Sequence, residues 1–341
     1  MIIQQLLNFI TVLKNILYKW IYSYYQKYFN EYNHILEFPI NYTMNNSTFD
    51  RINLITNTNK LITTMREFLN KHYKGEDTLI VSLSGGVDSM VLLAVLQRLQ
   101  KDFNYKIVTA TIDYSLRKES KYESEFIDKY CKKYNIKNYL STIKGISRKN
   151  GVSKRSEFET ESRQARYNLY KDLLKKYKSN FILVAHHWDD ITENVFTNFM
   201  RGKNILDLAV MHEINTVNNV NIARPFLNHP KSEIYDFAHN YMIPYFKDTT
   251  PDWSNRGKMR NKIFPLLTDM FGIIFRKNLN NMGDNTKEIG TMLEKFVFEP
   301  FYKKINFYKY GVIFDIQDKK DAPYLFWDNI FMHIFHKMGT S

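Results

Sequence analysis

A doubly wound α/β fold, a mostly parallel sheet with helices on both faces, is what this sequence predicts. Three observations carry the prediction. Short apolar runs recur at 78–84, 106–113 and 181–187. Helical patterns fill the intervals between them, the alternation that parallel strands need for their crossovers. The first run ends on the adjacent pair Gly85 and Gly86, which opens the next helix.

Taken in order, residues 1–29 are apolar and aromatic, broken by Lys14 and Lys19, with no acid before Glu31. Apolar positions 2, 3, 6, 7, 10, 13, 17, 20 and 21 fit a helical stripe. This segment is expected to be an appended helix packing on the domain. Membrane-surface contact or organellar targeting is the less favoured alternative. The Asn- and Thr-rich stretch 41–60 reads as a linker. A helix is expected at 60–73, a strand at 78–84, and a helix from the Gly-Gly pair to about 100. Then come a strand at 106–113, a helix at 119–135, a strand at 138–143 and a helix at 157–177. The strand 181–187 leads into a helix over 189–200, followed by a strand near 220–224 and a helix near 230–241. Beyond 275 the pattern is helical and then strand-like (FYKYGVIFDI), a small C-terminal module. The expected organisation is an extension and linker (1–60), the α/β domain (61–245), and a basic linker with that module (246–341).

Composition narrows the function. Of 341 residues, 44% are hydrophobic, enough for a core. The net charge of +13 favours a polyanionic partner. A single cysteine, Cys131, excludes an internal disulfide, a four-cysteine zinc site, a cysteine-held iron–sulfur cluster and a CxxC pair. Cys131 falls in a predicted helix and reads as a buried thiol. No run of about 20 apolar residues is present.

The strongest motif is SLSGGVDSM at 82–90. Ser84, Gly85 and Gly86 form a tight turn whose bare backbone N–H groups can approach an anion. The helix opening at Val87 adds its N-terminal dipole, and Ser89 adds a hydroxyl. Asp88 would repel phosphate alone; it makes sense orienting the loop or holding Mg2+. The run lacks the GxxxxGK[ST] lysine and the GxGxxG spacing. SGGxDS resembles the pyrophosphate loop of the N-type ATP pyrophosphatases, with their adenine nucleotide α-hydrolase-like fold. The resemblance implies ATP as cofactor, bound by Ser82, Ser84, Gly85, Gly86, Val87, Asp88 and Ser89, with Asp88 on Mg2+.

Four further segments resemble one family of that superfamily, the tRNA(Ile)-lysidine synthases. IDYSLRKES (112–120) resembles the family's DHxLRxES, with Tyr114 in place of His. The resemblance places Asp113 among the ATP-binding residues; taken alone, Asp113 and Arg117 would read as a capped strand-end turn. EFETESRQARYNLY (157–170) resembles its E-x-x-x-R-x-x-R-Y helix. Arg163 and Arg166 lie three apart and would share a face toward triphosphate or RNA; the alternative is a solvated face with a Glu159–Arg163 pair. AHHWDDITENVFTNFMRG (185–202) matches AHHxDDxxET, with Asn194 for Thr. Its adjacent histidines suit zinc poorly, because His186 and His187 would point apart. Asp190 and Glu193, three apart at a helix start, carry over the family's lysine-recognising pair; the alternative is an acidic first turn favoured by the helix dipole. ARPFLNHPKSEI and YFKDTTPDWSNRGKMRNKIFPLL place Lys231, Asp248, Asn255, Arg260 and Asn261 on family positions. Arg256, Lys258, Arg260 and Lys262, beside Trp253, form a basic run expected to meet tRNA.

The resemblance spans about 76–272 and implies a carbon–nitrogen ligase. The wobble cytidine would be adenylated on Asp88, Ser89, Asp190 and Glu193 chemistry, and free lysine joined to it. A cytoplasmic site of action is implied, or an organellar one if 1–30 is a targeting segment. The lone cysteine argues against sulfur-transferring relatives. The Asp190/Glu193 and 248–261 segments argue against amide synthetases. A non-catalytic RNA-binding scaffold on the same fold is the alternative from another class.

Overall fold

The computed structural model describes residues 35–39, 51–75, 78–115, 119–143, 152–248, 250 and 254–339, with backbone only for 152–159. The expected helix at 1–29, Arg117, Trp253 and the Glu159 side chain lie outside the described residues. The chain divides into two compact units. One comprises residues up to Asp190 with His212–Lys258; the other comprises Ile191–Met211 with Met259 onward.

The first unit begins with β1 (Leu36–Phe38) and α1 (Lys60–His72), whose N-cap Asn59 side chain accepts from the Leu61 N–H. Then follow β2 (Thr78–Ser82), α2 (Val87–Phe103), β3 (Lys106–Asp113), α3 (Glu119–Lys133), β4 (Lys137–Thr142) and α4 (Val152–Tyr177). Next come β5 (Ile182–Leu183), α5 (Trp188–Met200), β6 (Ile214–Val217), β7 (Val220–Ala223), α6 (Lys231–Asn240) and β8 (Tyr245–Phe246). The unit boundary falls inside α5.

The main sheet has the order β4-β3-β2-β5-β7-β6. Every neighbouring pair is parallel except β6–β7. Chain direction across the sheet reverses between β2 and β5. In open α/β sheets the crevice at that reversal, outside the carboxyl ends of the strands, is where ligands bind. Both faces are covered. Leu79 and Val81 of β2 join the cluster holding Leu92, Leu96, Phe126 and Phe237, while Ile80 joins Tyr170, Leu173 and Ile222 on the other side. The two-residue period of a strand sorts these side chains to opposite faces, which is why β2 reads as an unbroken apolar run. Cys131 is buried against the first cluster, and burial pushes its thiol up to about 11, as an inert core residue requires.

Two features differ from the sequence expectation. The run expected as a strand over 181–187 pairs only at Ile182–Leu183, because its last residues turn away to begin the site. The hairpin β6–β7 turns on Asn218 and Asn219, both with positive φ. Its signal was the Asn-Asn pair, since asparagine tolerates that conformation.

The first unit ends with α7 (Asn255–Lys258), and the second resumes with a π-helical turn at Met259–Ile263. Then come α8 (Phe264–Phe271), α9 (Ile274–Leu293), α10 (Glu299–Tyr302), β9 (Asn306–Tyr308), β10 (Gly311–Ile313) and α11 (Tyr324–Lys337). Phe298, Phe301, Phe326, Ile330 and Ile334 make its main core. Gly283 of α9 lets Val195 of α5 approach closely; a Cβ there would lie 2.9 Å from the valine Cγ2. Residues 191–211 therefore belong with this unit rather than with the sheet. No described helix is long and apolar enough to cross a membrane.

Candidate active site

The glycine loop leaves the carboxyl end of β2, beside the reversal point. Gly85 has φ +78°, a conformation costly for any residue with a Cβ. A Cβ there would also lie 2.0 Å from the Phe246 ring. Ser89 ties the loop together. Its hydroxyl donates to Gly86 O (3.0 Å) and accepts from the Ser84 N–H (3.2 Å), and the Ser84 hydroxyl lies 3.1 Å away. Gly86 is the residue before α2, so the loop's N–H groups and the helix dipole converge where an anion would sit. Ser82, by contrast, is engaged below the loop, accepting from the Tyr170 hydroxyl at 2.6 Å.

The AHHWDD segment leaves the end of the adjacent strand β5 and meets the loop. His187 is only 1% exposed, yet neither ring nitrogen has a hydrogen-bond partner among the described residues. Three carboxylates surround it: Asp88 at 3.5 Å, Asp189 at 3.6 Å and Asp190 at 3.4 Å. Asp88 Oδ2 pairs with Lys231 Nζ at 3.3 Å, while its Oδ1 is buried without a hydrogen bond. Asp189 accepts the Lys231 N–H (2.9 Å), joining α5 to the start of α6. Asp190 accepts the His187 N–H (3.1 Å) and pairs with Arg256. Burial alone would raise the Asp190 carboxyl. Its neighbours His187 and Arg256 outweigh it and hold the carboxyl below its ordinary value.

His186 has a different partner from His187. Its Nδ1 accepts from Arg224 Nε at 3.0 Å, and Arg224 also donates to His212 O. Burial, with Arg224 and Arg256 nearby, pushes His186 down to about 4, so it is neutral near pH 7. Among the described residues no three His, Cys, Asp or Glu side chains form a metal cage.

Other predicted residues divide. Asp113 caps its own strand end, accepting the Ser115 N–H at 2.7 Å. Arg163 is exposed over the Tyr167 ring, whereas Arg166 donates to the Tyr114 hydroxyl. The two arginines thus do not present one shared fork. In the second unit Glu193 is 7% exposed and accepts from Arg260 Nε. Two of the four cations expected to meet RNA are thus paired to carboxylates, Arg256 with Asp190 and Arg260 with Glu193. Lys258 and Lys262 are exposed. Sequence reasoning weighed His187 only as a zinc ligand and gave Arg224 no role; a buried histidine beside an acidic helix start gives no periodic signal.

A glycine loop without the Walker lysine, set at the reversal point of a parallel sheet and faced by an acidic helix start, defines an α/β protein of the ATP pyrophosphatase class. Residues 57–267 match the family described as the PP-loop domain, and the chain belongs to that family. It is 29% identical over 197 residues to the tRNA(Ile)-lysidine synthase of Enterococcus faecalis, covering 57% of this chain and 41% of that protein. It is 30% identical over 251 residues to that of Clostridium tetani, covering 72% and 51%. The chain thus spans about half the length of these curated relatives. Among solved structures, the U34-tRNA thiolase NcsA from Methanococcus maripaludis, with its 4Fe-4S cluster, shares the fold. Its TM-score is 0.52 at 17% identity, over 70% of this chain and 80% of that one.

Proposed function

We propose that this protein is an ATP-dependent tRNA-modifying ligase that joins free lysine to the wobble cytidine of tRNA(Ile), releasing AMP and pyrophosphate. The observation that carries the proposal is the meeting of the 84–89 loop with the His187–Asp190 segment at the carboxyl ends of neighbouring strands. A phosphate-binding loop and a buried, ionised carboxylate there serve two different substrates. The PP-loop match over 57–267 includes both segments, and the curated relatives bearing that name are 29–30% identical to this chain.

In the proposed reaction the triphosphate lies on the loop N–H groups and the Ser84 and Ser89 hydroxyls. The cytidine carbonyl oxygen attacks the α-phosphorus and pyrophosphate leaves. The lysine amine then attacks the activated ring carbon and AMP leaves. The protein supplies charge stabilisation and alignment rather than a covalent adduct. Asp190 and Glu193, one turn apart on α5, are the proposed contacts for lysine; each now holds a guanidinium, a cation standing where the substrate ammonium would compete. Lys231 and Arg166 would offset phosphate charge. Lys258 and Lys262 are the proposed contacts for the RNA backbone. Such a reaction belongs in the cytoplasm, with the tRNA pool.

The Asp88 carboxylate fits Mg2+. One buried oxygen without a hydrogen bond is the hard donor that a largely water- and phosphate-bound Mg2+ takes from protein. Mg2+ held there would neutralise charge on the phosphates. Asp88→Asn is expected to raise the Mg2+ concentration that half-saturates ATP–pyrophosphate exchange about tenfold; an unchanged value would remove Asp88 from the metal. The overall proposal is tested by nucleoside mass spectrometry of tRNA after incubation with ATP and lysine. Lysidine formation supports it. RNA binding with neither lysidine nor pyrophosphate exchange would favour the scaffold alternative.

A further inference from the structure

The phosphate loop is braced by a part of the chain outside the family match. β1 (Leu36–Phe38) ends 19 residues before the matched region begins at 57. It pairs antiparallel with β8, with Leu36 opposite Phe246 and Phe38 opposite Tyr245. The Lys247 N–H adds a bond to Ile35 O at 3.0 Å. These two strands form a sheet of their own, so β1 is the only strand that pairs with β8 among the described residues.

β8 in turn holds the loop. The Phe246 N–H donates to Gly85 O at 2.9 Å, and the Phe246 ring fills the space where a Gly85 Cβ would stand. Phe246 is 7% exposed, and its ring packs edge-on against Phe126, 5.4 Å between centroids. Ile35 and Leu36 are buried in the same cluster as Phe246, Leu83 and Val87. Phe38 stacks on Tyr245 at 5.8 Å and lies 4.5 Å from His239.

The geometry points to a positioning role for residues 35–38. This strand, through β8 and Phe246, fixes the Gly85 peptide in the orientation that presents the loop's N–H groups to ATP. A two-residue strand such as β8 has too few bonds of its own to resist movement. Pairing with β1 supplies the missing ladder and the buried contacts, so the loop is preorganised before ATP arrives. Phe246, Leu36 and Phe38 are positioning residues; none is placed against substrate. The inference rests on the reading that the loop binds ATP.

The test uses the full chain and measures ATP affinity by calorimetry with Mg2+, without tRNA or lysine, beside the melting temperature. Variants are Phe246→Ala, Leu36→Ala and the milder Phe38→Ala, which removes a partly buried ring. Phe68→Ala, in α1 and packed on Phe181 away from the loop, is the control for loss of core alone. The expected result is a rise in the ATP Kd of about tenfold for Phe246→Ala and about three- to fivefold for Leu36→Ala and Phe38→Ala. Phe246→Leu should recover most of the loss, and Phe68→Ala should lower the melting temperature with Kd unchanged. If β1 variants lose stability like the control while Kd stays within about twofold of the parent, the brace is merely structural and the inference fails. A parent that binds no ATP overturns both this inference and the ATP reading. ATP binding without lysidine formation overturns only the lysidine proposal.

Discussion

Gly85→Ala probes the loop most directly. The residue sits at φ +78°, which costs an alanine roughly 1–2 kcal/mol. Its new Cβ would meet the Phe246 ring at 2.0 Å, and that ring is confined by Phe126. Overpacking of this kind costs about 1–3 kcal/mol. The reduced freedom of the unfolded chain returns about 0.4–1 kcal/mol. The net destabilisation is about 2–4 kcal/mol, or roughly 5–15 °C in melting temperature for a unit of this size. ATP affinity should fall as well, because the loop must shift to relieve the contact. Gly86→Ala supplies the internal contrast. Its φ is −69° and its added Cβ would meet only the Ser84 hydroxyl, at 3.6 Å. Its melting temperature should stay within about 2 °C of the parent. Differential scanning calorimetry with and without ATP reads both. If Gly85→Ala and Gly86→Ala melt alike, the reasoning from backbone strain and ring contact is wrong.

Three further outcomes are expected. Asp190→Asn removes a charge-assisted bond worth about 1.5–3 kcal/mol, so the KM for lysine should rise by about one to two orders of magnitude while ATP binding persists; unchanged labelled-lysine incorporation would exclude the clamp. Lys258→Ala and Lys262→Ala should each weaken tRNA binding and flatten its log–log salt slope by about one, measured by filter binding across salt; an unaltered slope would take these exposed lysines off the RNA. His186, held down to about 4 from 6.5, binds its proton in the unfolded chain first. Its folded environment therefore costs stability as pH falls from 6.5 toward 4, by roughly 3 kcal/mol at the acid end. His186→Asn, which can still accept from Arg224, should flatten the melting temperature against pH in that window. A parallel curve would refute the assignment.

Much of this protein was readable in order along the chain. The apolar runs that became β2 and β3, the glycine pair and the helix start at Val87 are local signals. They depend on residues a few positions apart, and strand period, glycine conformation and capping act over that range. The candidate site was readable as far as the loop and the acidic start of α5. The company those residues keep was not. His187 on Asp88, and Arg256 on Asp190, bring together positions more than 60 residues apart.

By itself the sequence determined most of the sheet's strands, the position of the phosphate loop and the family, because each is written in local pattern or motif. Tertiary structure alone decided the rest. It set β1 beside β8, turned two predicted RNA-contacting arginines onto buried acids, and assigned residues 191–211 to the C-terminal unit. The physical reason is the same in each case. Burial lowers the local dielectric and leaves no water to satisfy a charge or a strand edge, so the partner is chosen by what the fold brings near.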